Sequence, residues 1–151
     1  MTTRRRRTGE VDGVHYRFVS RAAFENAVSS GELLEWATYG GNLYGTPKGP
    51  VIEALERGDD VLFDIENDGA HQIRAAYRNA VLVFILPPSM DELERRLRRR
   101  GDTSGGDMKR RLAVAEAQIA DAVKNYDHLV VNDSITTAVQ EMASILASAR
   151  D

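Results

Sequence analysis

Three short, nearly unbroken apolar runs limit most strongly what this chain can fold into. They are Val61-Leu62-Phe63-Asp64-Ile65, Ala80-Val81-Leu82-Val83-Phe84-Ile85-Leu86 and Leu129-Val130-Val131. Continuous rather than alternating apolarity predicts strands covered on both faces, the habit of a parallel sheet. The stretches between them carry helical periodicity. Ser89 and Glu92 form a capping-box signature before Met90, Leu93 and Leu97. Leu112, Ala115, Ile119, Ala122 and Tyr126 share one face of a long predicted helix. Ile135, Ala138, Val139, Met142, Ile145, Leu146 and Ala149 form another stripe, with Asp133 or Ser134 as its cap. Strand, helix, strand in this order predicts an α/β core over the second half.

The first 58 residues read differently. His15 to Val19 is predicted as a strand, and Ser20 to Ser30 as a short helix closed by Gly31. Leu33 to Thr38 and Asn42 to Gly45 are predicted strands around Gly40-Gly41, with a helix following Pro50 and ending at Gly58. This is a small α+β lobe set before the core rather than an independent domain.

Charge is unevenly distributed along the 151 residues. The net charge is −3, yet residues 95–111 carry eight basic and two acidic groups, and residues 51–94 carry three and ten. Two basic segments, the Arg4–Arg7 run and residues 95–111, therefore flank an acidic one. Brought together across a cleft they suit a nucleotide phosphate; apart, they are solvated arginine faces. An acidic total without aromatics near the arginines argues against a nucleic-acid groove. Cysteine is absent, which removes thiolate metal sites and thiol nucleophiles. No apolar run approaches the ~20 residues that span a bilayer, and no apolar segment follows the basic opening, so a cytoplasmic location is expected. His15, His71 and His128 lack ligand-like spacing.

Several ordered motifs narrow this further. Thr2-Thr3-Arg4-Arg5-Arg6-Arg7-Thr8-Gly9-Glu10-Val11-Asp12-Gly13 resembles the guanylate kinase signature T-T-R-x-x-R-x-G-E-x-x-G. Tyr16 to Ser20, Glu32 to Trp36, Asn42 to Pro47, Asp64-Ile65-Glu66, Phe84 to Ser89, Arg100-Gly101, Arg111-Leu112 and Val131 to Asp133 continue the similarity over essentially the whole chain. The resemblance implies an α/β, P-loop nucleoside-monophosphate-kinase fold in a single domain. Residues 1–50 would be a GMP-binding lobe, 51–99 and 113–151 the core, and 100–112 a lid.

The implied reaction is phosphoryl transfer from MgATP to GMP. The family's phosphate-gripping residues match Arg4 and Arg7 with Tyr16 and Tyr44. Guanidinium forks and phenol hydroxyls suit that anion. Glu35 matches the carboxylate that accepts from guanine N1 and N2, Thr46 matches the hydroxyl that meets O6, and Glu66 belongs to the same GMP set. A carboxylate beside a hydroxyl selects guanine, because adenine would leave Glu35 unpaired. Arg100 and Arg111 match lid arginines that stabilise the transferring phosphoryl group. Asp64 is expected to be catalytic, since a carboxylate on a buried strand is costly without a role. Asn132 matches a residue near the adenine of ATP or is a helix-cap neighbour.

Departures from the family pattern carry expectations of their own. Glu66 and Asp68 stand where aspartate and glutamine are usual, and Gly105-Gly106 replace two acidic residues, predicting a looser lid. Family members carry a strand and a G-x-x-x-x-G-K-[ST] loop upstream of T-T-R, and these 151 residues contain no such loop. Very slow or undetectable ATP-dependent transfer is therefore expected of this chain, with either a gap in the sheet or exposed apolar edges, and with the loop either lost or encoded upstream of Met1 as an internal methionine. The alternative class is a non-catalytic guanylate-kinase-like module that binds GMP or phosphopeptides with the same lobe.

Overall fold

The computed structural model describes residues 1–100 and 105–149, and the chain divides into two compact units, residues 1–80 and 81–151. In the first, Ser20 caps helix α1 (Arg21–Ser29) by accepting from the Ala23 N–H at 3.2 Å, which satisfies one orphan donor of the first turn. The antiparallel hairpin β1 (Leu33–Tyr39) and β2 (Asn42–Pro47) follows. Gly40 and Gly41 both have positive φ, 56° and 78°, as a two-residue turn between right-twisting strands requires.

A bulge at the start of this hairpin decides what the lobe can do. Leu33 is opposite Pro47 while Glu35 is opposite Thr46, so one extra residue enters β1 between them. That insertion switches the alternation of side chains. Leu33 joins Leu43 on the face packed under Phe24 and Ala27 of α1. Glu35 is thrown onto the opposite face, in register with Thr46, while Ala37 pairs with Tyr44. One face of the hairpin becomes the core and the other becomes polar.

The opening residues complete the sheet. Thr3 donates to the Leu43 carbonyl at 3.0 Å and Gly45 to the Met1 carbonyl at 3.0 Å. On the other side Thr2 donates to Arg17 at 2.9 Å and Val19 to Thr2 at 3.0 Å. Thr2 is fully buried between these neighbours. His15 to Val19 is thus not the strand its pattern predicts. It makes isolated bridges with Thr2 and Asp12, because too few backbone groups oppose it for a ladder.

Helix α2 (Lys48–Glu56) starts two residues before Pro50. Proline is tolerated there because first-turn N–H groups have no helical partner. Helix α3 (Asn67–Ala76) buries Gly69, Ala70 and Ile73. Val61 to Ile65, predicted as a buried strand, forms no ladder, and both Leu62 and Asp64 are exposed. Apolar composition alone does not make a strand; a hydrogen-bonding neighbour does.

In the second unit, β3 (Val83–Leu86) pairs in parallel with β4 (His128–Val131), Val83 opposite His128. The connection runs through α4 (Met90–Arg100) and α5 (Gly105–Asn125), and α6 (Ile135–Ser148) follows β4. Ser89 Oγ accepts from the Glu92 N–H at 3.1 Å. The Glu92 carboxylate turns to Arg95 and Arg96, at 2.9 and 2.8 Å, instead of completing the box. Ser134, not Asp133, caps α6.

Leu82, Met108, Ala122, Val130 and Ala138 form the buried set. Coverage of both strand faces, as the apolar runs predict, is not found: Ile85, Leu129 and Val131 are exposed, and so are Ile135 and Val139 of the α6 stripe. Residues 101–104 of the expected lid lie outside the described residues, and α5 runs from Gly105 to Asn125 through both glycines. Among the described residues no helix is long and apolar enough to cross a membrane.

Candidate functional site

Six of the residues singled out in the sequence meet in the first unit. Arg4 leaves the buried Thr2–Thr3 segment with its backbone N–H held by Thr2 Oγ1 at 3.1 Å. Its guanidinium pairs end-on with Glu10: Nη1 donates to Oε2 at 3.0 Å and Nη2 to Oε1 at 2.7 Å. Nη1 also donates to the Arg5 carbonyl at 2.9 Å. The Nε–H and the outer Nη2 hydrogen take no part in those bonds, and they form the side-on fork that suits a phosphate. The guanidinium carbon stands 5.5 Å from the Tyr16 ring centre and 5.6 Å from that of Phe18, a cation–π arrangement that fixes its plane.

Glu10 organises both arginines. Besides Arg4, it accepts from the Arg7 backbone N–H at 2.7 Å. The Arg4 guanidinium, then the Arg7 amide, hold its carboxyl at a pKa of about 2. Arg4 is pushed up in turn, chiefly by Glu10. Arg7, Arg5 and Arg6 are exposed. The Tyr44 ring lies edge-on to Tyr16 at 6.1 Å and to Tyr39 at 6.5 Å, so the phenols border the same polar face as Arg4.

Two positions along β2, and therefore on that face roughly 7 Å away, Thr46 Oγ1 donates to Glu35 Oε1 at 2.6 Å. Glu35 is 4% exposed. Burial pushes its carboxyl up, and the Thr46 hydrogen bond pulls part of the way back. The Thr46 backbone N–H and the N-terminal ammonium also favour the charged form, yet a carboxylate has about four lone-pair sites, so acceptor capacity remains for a further donor. A ligand edge bearing N–H groups supplies that donor. Tyr16, 39% exposed, and Arg7 are open to solvent while the Arg4 side chain is 13% exposed, so the face has a wetter cationic end and a dry base end.

The other predicted residues are placed less tightly. Asp64 is exposed, which removes the buried-strand argument for a catalytic role. Glu66 is the residue before α3 and makes no side-chain cap bond. In the second unit, Arg111 Nε donates to Asp107 at 3.1 Å. Asn132 directly follows β4, its N–H on the Leu86 carbonyl at 2.8 Å and its carbonyl accepting from Arg96 at 3.0 Å. Ser134 rather than its neighbourhood performs the cap. The Arg100 side chain lies outside the described residues, although its backbone ends α4.

Sequence reasoning passed over Glu10, Gly69 and Gln72. Glu10 was visible, since it lies within the arginine motif at six residues from Arg4. Gly69 ends the Asp64–Gly69 stretch that resembles the family's D-I-D-x-Q-G, whereas Gln72 carries no local signal because what it touches is far away in sequence.

The family model described as Guanylate kinase matches residues 1–149. A guanylate kinase from Carboxydothermus hydrogenoformans is 47% identical over 147 residues, covering 97% of this chain and 72% of that protein. One from Thermus thermophilus is 50% identical over 150 residues, covering 99% of this chain and 68% of that protein. Among solved structures, guanylate kinase from Anaplasma phagocytophilum superposes with a TM-score of 0.81 at 34% identity, covering 97% of this chain and 71% of that one.

Proposed function

The chain belongs to the guanylate kinase family, and from that premise we propose that the polar face of its first unit is the GMP site. The fold is that of the P-loop nucleoside-monophosphate kinases, and the function is the family's ATP-dependent phosphorylation of GMP. Arg4, Arg7, Tyr16 and Tyr44 take the phosphate, Glu35 and Thr46 take the guanine edge, and Glu66 joins the base end.

The observation that carries this reading is the buried Glu35–Thr46 pair at 2.6 Å. The Thr46 hydroxyl donates its one hydrogen bond to Oε1, which leaves Oε2 as acceptor for N1–H and N2–H of guanine; to meet O6, itself an acceptor, the hydroxyl has to turn away from Glu35. Adenine offers a bare N1 there and would strand the carboxylate, and polar mismatches of this kind discriminate strongly. Binding the phosphate needs no movement of Glu10: its bond to Arg4 leaves the side of the guanidinium that neighbours the Tyr44 phenol to meet the anion.

Guanylate kinases are ATP-dependent and generally use Mg²⁺. Among the described residues no cluster of three or more His, Asp or Glu is suited to a metal ion. The 151 residues also contain no G-x-x-x-x-G-K-[ST] cradle. Without that phosphate cradle these residues supply no complete seat for MgATP, so no transfer step is derived from them. Arg100, Arg111, Asp64 and Asn132 are assigned to the donor side on motif correspondence, with 100–112 as lid and the remainder beyond residue 50 as core. A cytoplasmic location follows from the substrates, GMP and ATP.

Calorimetric titration of the chain with GMP, AMP and a phosphoserine peptide tests the assignment. Saturable binding of GMP with AMP far weaker supports it. Equal binding of GMP and the peptide would point instead to the non-catalytic phosphopeptide module.

A further inference from the structure

We propose that helix α3 positions the base-selecting carboxylate: Gly69 forms the seat of Glu35 Oε2, and Gln72 fixes the strand beside it. The inference rests on the reading of Glu35 given above. Oε1 is anchored by Thr46, so the place of Oε2 decides whether the base edge is met. A Cβ at Gly69 would stand 2.5 Å from Oε2 and 3.2 Å from Cδ of Glu35. The first distance is one that real Cβ atoms do not show. Gly69 is helical and not at positive φ, so its backbone does not require glycine, and alanine is the better helix former. The requirement is spatial. What a methyl group would displace is the end of one side chain, not backbone, so the fold tolerates the change while the carboxylate loses its seat.

Gln72 lies three residues on, hence on the same face of α3. Its Oε1 accepts from the Trp36 N–H at 3.1 Å, and its Nε2 donates to the Trp36 carbonyl at 2.8 Å and the Asp68 carbonyl at 3.1 Å. One side-chain amide thus serves both backbone groups on the free edge of β1, as a neighbouring strand would. Glutamate in its place offers acceptors alone. Trp36 is adjacent to Glu35, so this pairing sets the height of the carboxylate against Gly69.

The test is calorimetric titration of the wild-type chain, Gly69→Ala and Gln72→Glu. The two ligands are GMP and purine riboside 5′-monophosphate, which keeps the phosphate and sugar but has no N–H for Glu35. Gly69→Ala should weaken GMP roughly tenfold or more and leave the second ligand within about twofold. Gln72→Glu should show the same split at a smaller factor, and it carries the test if Gly69→Ala fails to fold. In a Glu35→Ala background, Gly69→Ala should change neither ligand. Equal weakening of both ligands, or a Gly69→Ala effect that persists without Glu35, would mean a merely structural role and overturn the inference. A wild-type chain that binds the two ligands alike sinks the reading of Glu35 and this inference with it.

Discussion

The two units bury their residues in different ways. In residues 1–80 a bulged hairpin, a capped helix and the opening segment cover one another, enclosing Phe24, Leu33 and Leu43 on one face and the Glu35–Thr46 pair on the other. In residues 81–151 the parallel pair β3–β4 has Val130 fully buried, yet Ile85, Leu129, Val131, Ile135 at 77% and Val139 at 61% are exposed. Antiparallel strands closed by a tight turn settle their register locally, whereas parallel strands depend on helices from elsewhere in the chain to cover them. The proposed acceptor site lies in the unit whose register is settled locally.

The largest expected effect is on the buried pair. Glu35→Ala should cost GMP affinity on the order of 100-fold while AMP affinity changes little, read by competition binding; a parallel loss for both ligands would break the contrast between base and phosphate ends. Next comes Gly45→Ala. A Cβ there would meet the Glu35 carbonyl and Leu33 Cδ1 at 2.9 Å and Phe24 at 3.0 Å, and overpacking against backbone should destabilise by ~1–3 kcal/mol in urea unfolding. Val139→Asn in the second unit should stay within about 0.5 kcal/mol, because an exposed valine packs against little. A large loss there would show that the α6 face is covered in solution.

Acid titration sharpens the comparison within the first unit. The Glu10 carboxyl is lowered to about 2 from 4.5 by Arg4, so its pairing contributes stability that is present above pH ~4.5 and lost as pH falls towards 2. Glu35 is raised by burial, so the folded state holds its proton longer. Stability should decline as pH rises from the unfolded value through the folded one, and Glu35→Gln should remove that slope. Carboxyl-carbon NMR shifts followed from pH 7 to 2 check both signs.

What was legible in the sequence was local. Ser20, Ser89 and Ser134 mark helix starts because a cap acts on backbone two or three residues away, and Gly40-Gly41 marks a turn because the turn needs positive φ. His15 to Val19 and Val61 to Ile65 misled for the opposite reason: their residues suit strands, but the backbone partners that make a ladder are set by tertiary placement. In the candidate site, Arg4, Arg7, Tyr16, Glu35, Tyr44 and Thr46 are proposed from the motif resemblance. Asp64 was argued from burial that the fold does not supply. The bulge at Leu34, which alone puts Glu35 opposite the core, has no signature in composition. Gly69 and Gln72 act on residues more than thirty positions away.

The most direct test of the central claim is two-dimensional amide NMR of the labelled chain titrated with GMP and then with AMP. The account predicts saturable shifts for GMP at both ends of the face, Arg4 and Tyr16 as well as Glu35 and Thr46. For AMP it predicts shifts at the phosphate end alone. Glu35 and Thr46 amides that do not respond to GMP, or that respond equally to AMP, would contradict it.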